Sequence, residues 1–159
     1  MKKTKKLVFM ALLTAMALVV WIIEAQIPAP VPVPGGKLGL ASVVTLTAMT
    51  LLGRKEALAV LLMRVVLSAV FAGSMSALLF SLTGGLLSAL VMVLLKQTGR
   101  FRPVTVSVAG GIAHNVGQIL CAMVLLQTNS LIWYLAVLWL TGLAAGAVIG
   151  VIGGLLIRR

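Results

Sequence analysis

Apolar runs of membrane-crossing length, separated by short clusters of cations, dominate this chain of 159 residues. A helix needs about 20 apolar residues to cross the hydrocarbon core of a bilayer. Hydrophobic residues make up 62% of the chain and charged residues only 9%, whereas soluble domains carry about 25% charged residues. A soluble fold of this size could not bury so much apolar surface. We therefore expect a single integral membrane domain over residues 1–159.

The spacing of the runs predicts an all-α membrane protein with six transmembrane helices. The predicted spans are 7–27, 38–52, 57–72, 75–95, 104–126 and 131–157. Four prolines in residues 28–36 exclude a helix interior between the first two spans. The first apolar run is longer than a signal-peptide core of about 7–15 residues, so we interpret it as a retained span.

The cations are distributed unevenly about the predicted spans. Eleven of the 13 Lys and Arg residues fall on one side of a six-span arrangement, Lys37 falls on the other side, and Arg64 lies inside the third span. Cytoplasmic loops of membrane proteins are rich in Lys and Arg, so both termini are predicted in the cytoplasm. Because apolar runs separate the clusters, they do not form the continuous patch that a nucleic-acid-binding surface requires.

Two charged residues inside the predicted spans suggest a buried polar site. A charge at the centre of a membrane helix costs about 2.5–3.5 kcal/mol on insertion scales, so Arg64 should face the bundle interior and have a partner. Ser68 follows one turn later on the same helix face. Glu24 is the only acid within a span, at the outer end of span 1. Two interpretations remain open: an ion pair that orders the bundle, or two groups that grip a polar ligand.

Span 5 adds His114, Asn115 and Gln118, whose spacing places them on one helix face. Such groups either form hydrogen bonds between helices or line a pocket, and Ser81 of span 4 is a further candidate for the same lining. We find no set of His, Cys and Glu with the spacing of metal ligands, and we expect neither a metal nor another cofactor.

Four stretches of sequence resemble a known family of small bacterial membrane proteins. They are PGGKLGLASVVTL from Pro34, RVVLSAVFAG from Arg64, SLTGGLLSAL from Ser81 and AGGIAHNVGQ from Ala109. In this order they resemble the heptaprenyl diphosphate synthase component I family, also called the Gx transporter family. The resemblance extends from span 1 to the middle of span 5. Ser42 departs from the family pattern, in which an asparagine is expected after the alanine.

The six-helix plan of this family is similar to that of the substrate-binding S components of energy-coupling-factor (ECF) vitamin transporters. The resemblance implies a bacterial plasma-membrane subunit that binds a small molecule for uptake, with a membrane transport subunit and cytoplasmic ATPases as partners. Ala11 and Ala15 match the small-residue motif that docks the transport subunit. The ligand would lie beneath the first outer loop, residues 28–37. The candidate substrate-binding residues are Glu24, Lys37, Ser42, Arg64, Ser68, Ser81, His114, Asn115 and Gln118.

The positive charge of Lys37 and Arg64 favours an anionic or amphipathic ligand. Catalysis is not expected, because prenyl diphosphate synthases hold magnesium and diphosphate with clustered aspartates. This chain has no aspartate, and its two glutamates are predicted on opposite sides of the membrane. A non-catalytic accessory role in isoprenoid or prenyl-quinone metabolism remains an alternative. A membrane scaffold is a third hypothesis, based on Gly142, Gly146 and Gly150 at four-residue spacing in span 6.

Overall fold

The computed structural model describes residues 3–26, 40, 42–137, 139–140 and 143. Every regular element within these residues is a helix, which confirms the all-α expectation for this part of the chain. The elements are α1 (Lys3–Gln26), α2 (Ser42–Leu51), α3 (Arg54–Ala72), α4 (Met75–Gln97), α5 (Pro103–Leu126) and a 3-10 turn (Ser130–Trp133).

Three of the helices, α1, α4 and α5, are long and apolar enough to cross a membrane. Each has 23 or 24 residues, which at about 1.5 Å per residue exceeds the roughly 30 Å hydrocarbon core. Their length and composition support a membrane protein. The third predicted span corresponds to α3 and the second to the much shorter α2, whereas the sixth lies mostly outside the described residues, including its three glycines. The count of six spans stays a prediction.

The helix ends follow from local sequence. Gly53 has a φ of 117°, which other residues rarely adopt, and it separates α2 from α3. Gly73, in the left-handed region, ends α3. The Ser74 hydroxyl then accepts a hydrogen bond from the Ala77 amide at 3.3 Å and caps α4. These signals separate the second, third and fourth helices by only two residues at each junction.

Among the described helices, α4 and α5 have the most extensive contact, and their close approach requires glycine. A Cβ added at Gly117 would lie 2.9 Å from the Thr83 carbonyl oxygen and 2.9 Å from Gly84 Cα. A Cβ added at Gly84 would lie 2.8 Å from the His114 carbonyl oxygen. The two backbones are therefore in direct contact, the packing mode that replaces hydrophobic burial between helices in lipid.

Four helix ends meet at one end of the bundle, which we call the basic end. Lys6, near the start of α1, forms an ion pair with Glu56, near the start of α3. Lys96, near the end of α4, donates a hydrogen bond of 3.0 Å from its Nζ to the carbonyl oxygen of Met49, near the end of α2. The first four helices therefore alternate in direction, in agreement with the predicted order of spans. The placement of this end in the cytoplasm remains a prediction.

Candidate functional site

The predicted substrate-binding residues are buried in the interior of the bundle. Eight of the nine are less than a tenth exposed, and Lys37 lies outside the described residues. The eight are Glu24, Ser42, Arg64, Ser68, Ser81, His114, Asn115 and Gln118. Their burial agrees with the expectation that costly polar groups in a membrane bundle face inward. They come from α1, α2, α3, α4 and α5.

Three buried ionisable residues from three helices interact electrostatically. Arg64 of α3 and Glu24 of α1 are each 4% exposed, and they are close enough to interact electrostatically. Arg64 also interacts electrostatically with His114 of α5. The sequence placed Glu24 well outside the depth of Arg64, and the structure brings the two charges within electrostatic range. We call Glu24, Arg64 and His114 the central triad.

The glycine contact between α4 and α5 positions His114. A Cβ at Gly84 would lie 3.1 Å from Cε1 of the imidazole and 2.9 Å from Cγ of Gln118. The missing side chain therefore provides the space that these two residues occupy. Asn115, fully buried, follows His114 on the same helix. A different side chain at Gly84 would displace the polar face of α5 as well as the helix.

Two nitrogens of the central triad retain hydrogen-bonding capacity. Among the described residues, neither Arg64 Nε nor His114 Nδ1 has a hydrogen-bond partner. The great majority of buried polar groups in folded proteins are paired, so these two atoms need an explanation. A guanidinium Nε–H donates, and an imidazole nitrogen either donates or accepts. His114 is already hydrogen-bonded to the backbone of Gly84, so Nδ1 of the neutral imidazole is an acceptor, and the two atoms together suit a bound group that has both an acceptor oxygen and an O–H or N–H donor.

Ser107 and Trp21 are buried residues that were not among the sequence candidates. Ser107 is fully buried on α5, and its hydroxyl has no hydrogen-bond partner within the described residues. It precedes His114 by seven residues, a spacing that places both on one helix face and that could have identified it. Trp21 is buried three residues before Glu24, on the same face of α1. A search confined to charges and amides passes over both.

Some hydroxyls are engaged with their own helices. Thr83 Oγ1 donates to the carbonyl oxygen of Leu79 at 2.8 Å, and Thr83 is exposed. Ser68 Oγ donates to the carbonyl oxygen of Val65 at 3.0 Å. Such bonds satisfy a hydroxyl donor locally and leave only its acceptor capacity for a ligand. Thr83 is therefore excluded from the site, and Ser68 is left as a potential acceptor.

An apolar groove of about 390 Å³ lies elsewhere, at the junction of α3 and α4. Its lining residues are Val66, Ala69, Val70, Gly73, Ser74, Met75 and Leu78. It carries no charged group and includes strongly exposed aliphatic side chains such as Val70 and Met75. A surface of this kind suits contact with lipid chains, so we place the candidate site at the central triad.

The predicted docking residues occupy another face of α1. Ala11 and Ala15 are exposed, whereas Glu24 and its helical neighbours Ala17 and Trp21 are buried. One helix thus carries a site residue on its inner face and small residues on its outer face. Nothing in the packing of the described residues covers the two alanines.

The buried ionisable groups do not form a metal centre within the described residues. No group of three or more His, Cys, Asp and Glu side chains comes together in this part of the chain. The central triad contains only two such side chains, because Arg64 is not a metal ligand.

Comparisons with known proteins place the chain in a family. Neither the curated proteins nor the solved structures contain a significant match. The sequence pattern of the family described as heptaprenyl diphosphate synthase component I matches residues 13–156. This range extends beyond the four stretches that carry the resemblance and includes the central triad. Because the match covers most of its length, the chain belongs to the heptaprenyl diphosphate synthase component I family.

Proposed function

We propose that this protein is a substrate-binding integral membrane subunit for the uptake of a small anionic or amphipathic molecule. The observation that carries the proposal is the burial of Arg64 beside Glu24 and His114, with Arg64 Nε and His114 Nδ1 unpaired within the described residues. A purely structural arginine in an apolar bundle would be expected to have its donors satisfied. An unused guanidinium donor and an unused imidazole acceptor at such a position favour a ligand.

The chemistry of the site suits an anionic group. Guanidinium binds carboxylate and phosphate oxygens through parallel, charge-assisted hydrogen bonds. We expect Arg64 to hold that group, with the amides of Asn115 and Gln118 completing its hydrogen bonds and His114 Nδ1 accepting from an O–H or N–H of the ligand. Ser42, Ser68 and Ser81 line the same interior, and Lys37 attracts the ligand from the outer loop.

Uptake against a gradient requires an energy source, which must lie in a partner. The chain has no nucleotide-binding loop, so we assign ATP hydrolysis to cytoplasmic ATPases that act through a membrane transport subunit of the ECF type. Ala11 and Ala15, exposed on α1, are the proposed docking surface for that subunit. This arrangement requires a multi-pass protein of the bacterial plasma membrane with cytoplasmic termini.

Ligand retention provides the direct test. We expect native mass spectrometry of the purified full-length protein to detect a bound small molecule in the wild type and in Lys55→Ala, a variant of an exposed cation at the basic end. Arg64→Ala should lose it, and cells with this variant should lose uptake of the same molecule. Wild-type protein that carries no small molecule under any purification condition would contradict the proposal.

A second candidate is a non-catalytic accessory role in isoprenoid or prenyl-quinone metabolism, which the words heptaprenyl diphosphate synthase component I in the description of the family suggest. The absence of aspartate argues against a catalytic role by the magnesium-diphosphate mechanism. The two candidates differ in the effect of gene deletion. Loss of long-chain quinones with unchanged uptake of small solutes would favour the accessory role, and the opposite pattern would favour uptake.

A further inference from the structure

Ser88 of α4 carries a buried hydroxyl whose hydrogen-bonding capacity is unused. The residue is 2% exposed, and its Oγ has no hydrogen-bond partner among the described residues. Ser88 lies four residues after Gly84 and four before Met92, a spacing that places the three residues on one face of α4. On that face Gly84 contacts His114 of α5, and Met92 lies against Gly110 of α5. Ser88 therefore faces α5, as its neighbours on this face do.

The imidazole of His114 lies against the turn of α4 that leads from Gly84 to Ser88. It is hydrogen-bonded to the backbone of Gly84, and a Cβ at Gly84 would lie 3.1 Å from its Cε1. Inside a helix the amide of Gly84 is already used, so its carbonyl oxygen accepts this bond, and that oxygen points toward Ser88. Residues four apart on a helix have Cβ atoms about 5–6 Å apart. One small group can therefore contact both His114 and Ser88.

The two side chains need complementary partners. Neither His114 Nδ1 nor Ser88 Oγ has a hydrogen-bond partner in the described part of the chain, so the two atoms are not bonded to each other. His114 Nδ1 is an acceptor, because the other ring nitrogen donates to Gly84. The Ser88 hydroxyl has a hydrogen to donate. A group that satisfies both atoms must donate one hydrogen bond and accept another.

This requirement separates the common polar groups of small metabolites. An ammonium or amide N–H can donate to His114 Nδ1, but its nitrogen has no lone pair that accepts from Ser88. An ionised carboxylate can accept from Ser88, but it has no hydrogen to donate to His114. A hydroxyl group does both. The anionic group of the ligand is still needed on Arg64, whose Nε is also without a partner within the described residues.

We propose that the ligand is an acid that also carries a hydroxyl group, which donates a hydrogen bond to His114 Nδ1 and accepts one from Ser88 Oγ. This inference rests on the uptake function proposed above. It adds Ser88 to the ligand-binding residues and narrows the anionic or amphipathic ligand to a hydroxylated anion. The acid and the hydroxyl belong to one small molecule, because Arg64 and His114 are close enough to interact electrostatically.

The first experiment identifies the molecule that the purified full-length protein retains. The molecule is released by denaturation, and its structure is determined by mass spectrometry and NMR. We expect an acid group and a hydroxyl group in the same molecule. A retained acid without a hydroxyl would overturn the inference and leave the uptake function intact. Failure to retain any molecule would contradict both.

The second experiment compares the retained molecule with its deoxy analogue, in which hydrogen replaces the hydroxyl group. The wild type should bind the analogue about tenfold more weakly, because two buried atoms then lose their partners. In Ser88→Ala this ratio should fall to about threefold, because one of the two bonds is already absent. An equal affinity of the wild type for both molecules, or an unchanged ratio in Ser88→Ala, would refute the assignment of Ser88.

Stability measurements separate binding from packing. Ser88→Ala removes a buried hydroxyl that has no partner within the described residues, so the melting temperature of the ligand-free protein should not fall. Thr83→Ala is the control on the same helix, because its hydroxyl is exposed and bonded to the Leu79 carbonyl oxygen. It should keep the tenfold preference. If Ser88→Ala instead melts at a lower temperature and binds both molecules equally weakly, Ser88 contributes to packing and the inference fails.

Discussion

Within the described residues, opposite charges attract each other at the basic end and in the central triad, and the two places differ in their access to water. At the basic end, the side chains of Lys6 and Glu56 are 39% and 18% exposed. In the central triad, Glu24 and Arg64 are each 4% exposed. Water can replace either partner at the basic end, whereas only protein or ligand can do so in the interior. Removing one partner should therefore cost little stability at the basic end and much more in the interior.

The largest effect is expected from Arg64→Met. Removing one partner of a buried pair leaves an uncompensated charge, which typically costs about 3–5 kcal/mol. We expect a loss of this order in the free energy of unfolding, measured with purified protein in mixed micelles. Glu24→Gln combined with Arg64→Met should recover most of it, and Lys55→Met should change little. If the single variant is as stable as the wild type, water reaches the triad and the comparison with the basic end fails.

A smaller effect is expected from Gly84→Ala, which tests the backbone contact between α4 and α5 beside His114. The added Cβ would meet the His114 carbonyl oxygen at 2.8 Å, and backbone cannot easily move away. Overpacking of this kind costs about 1–3 kcal/mol, and ligand retention should fall with it. Gly85→Ala is the matched control on the same helix, because its new Cβ would meet only a terminal methyl group of the Leu61 side chain at 2.8 Å. Equal melting temperatures for the two variants would argue against a rigid contact at Gly84.

The smallest effect is expected at the basic end, where pH provides the test. The hydrogen bond from Lys6, aided by the backbone of Glu56 itself, lowers the pKa of Glu56 below its ordinary 4.5. A carboxylate whose pKa is lower in the folded state stabilises the protein at pH values above its unfolded-state pKa. This stabilisation is lost as the pH falls through its folded-state pKa. The wild type should therefore melt at a slightly higher temperature than Glu56→Gln at pH 7. This difference should disappear in acid below pH 4.5. A difference that grows on acidification would contradict the pairing.

Much of the fold was predictable because a helix that crosses the lipid bilayer must be a long run of apolar residues. Four of the apolar runs correspond to α1, α3, α4 and α5, with ends that differ by a few residues from the predicted spans. The burial of Arg64 also followed from sequence, since an isolated arginine in an apolar run has few alternatives. For α1 to α4, the helix ends that the cation pattern placed on one side do lie together.

The remaining features depend on three-dimensional packing that spacing along one helix does not reveal. The proximity of Glu24 to Arg64 requires the relative placement of α1 and α3. The direct contact of Gly84 with His114 requires the register of α4 against α5. Ser107 could be identified only after His114 was known to face inward. Neither the choice of ligand nor the docking role of Ala11 and Ala15 is tested by the fold, so both stay predictions.

The α4–α5 pair combines a rigid contact with an adjustable one. Backbone meets backbone at Gly84 and Gly117, whereas about two turns away the thioether of Met92 fills the space beside Gly110. A methionine side chain can change rotamer and follow a moving neighbour. Any tilting of α4 relative to α5 should therefore pivot near His114. The spectroscopic signal of the Met92 methyl group should change with that motion.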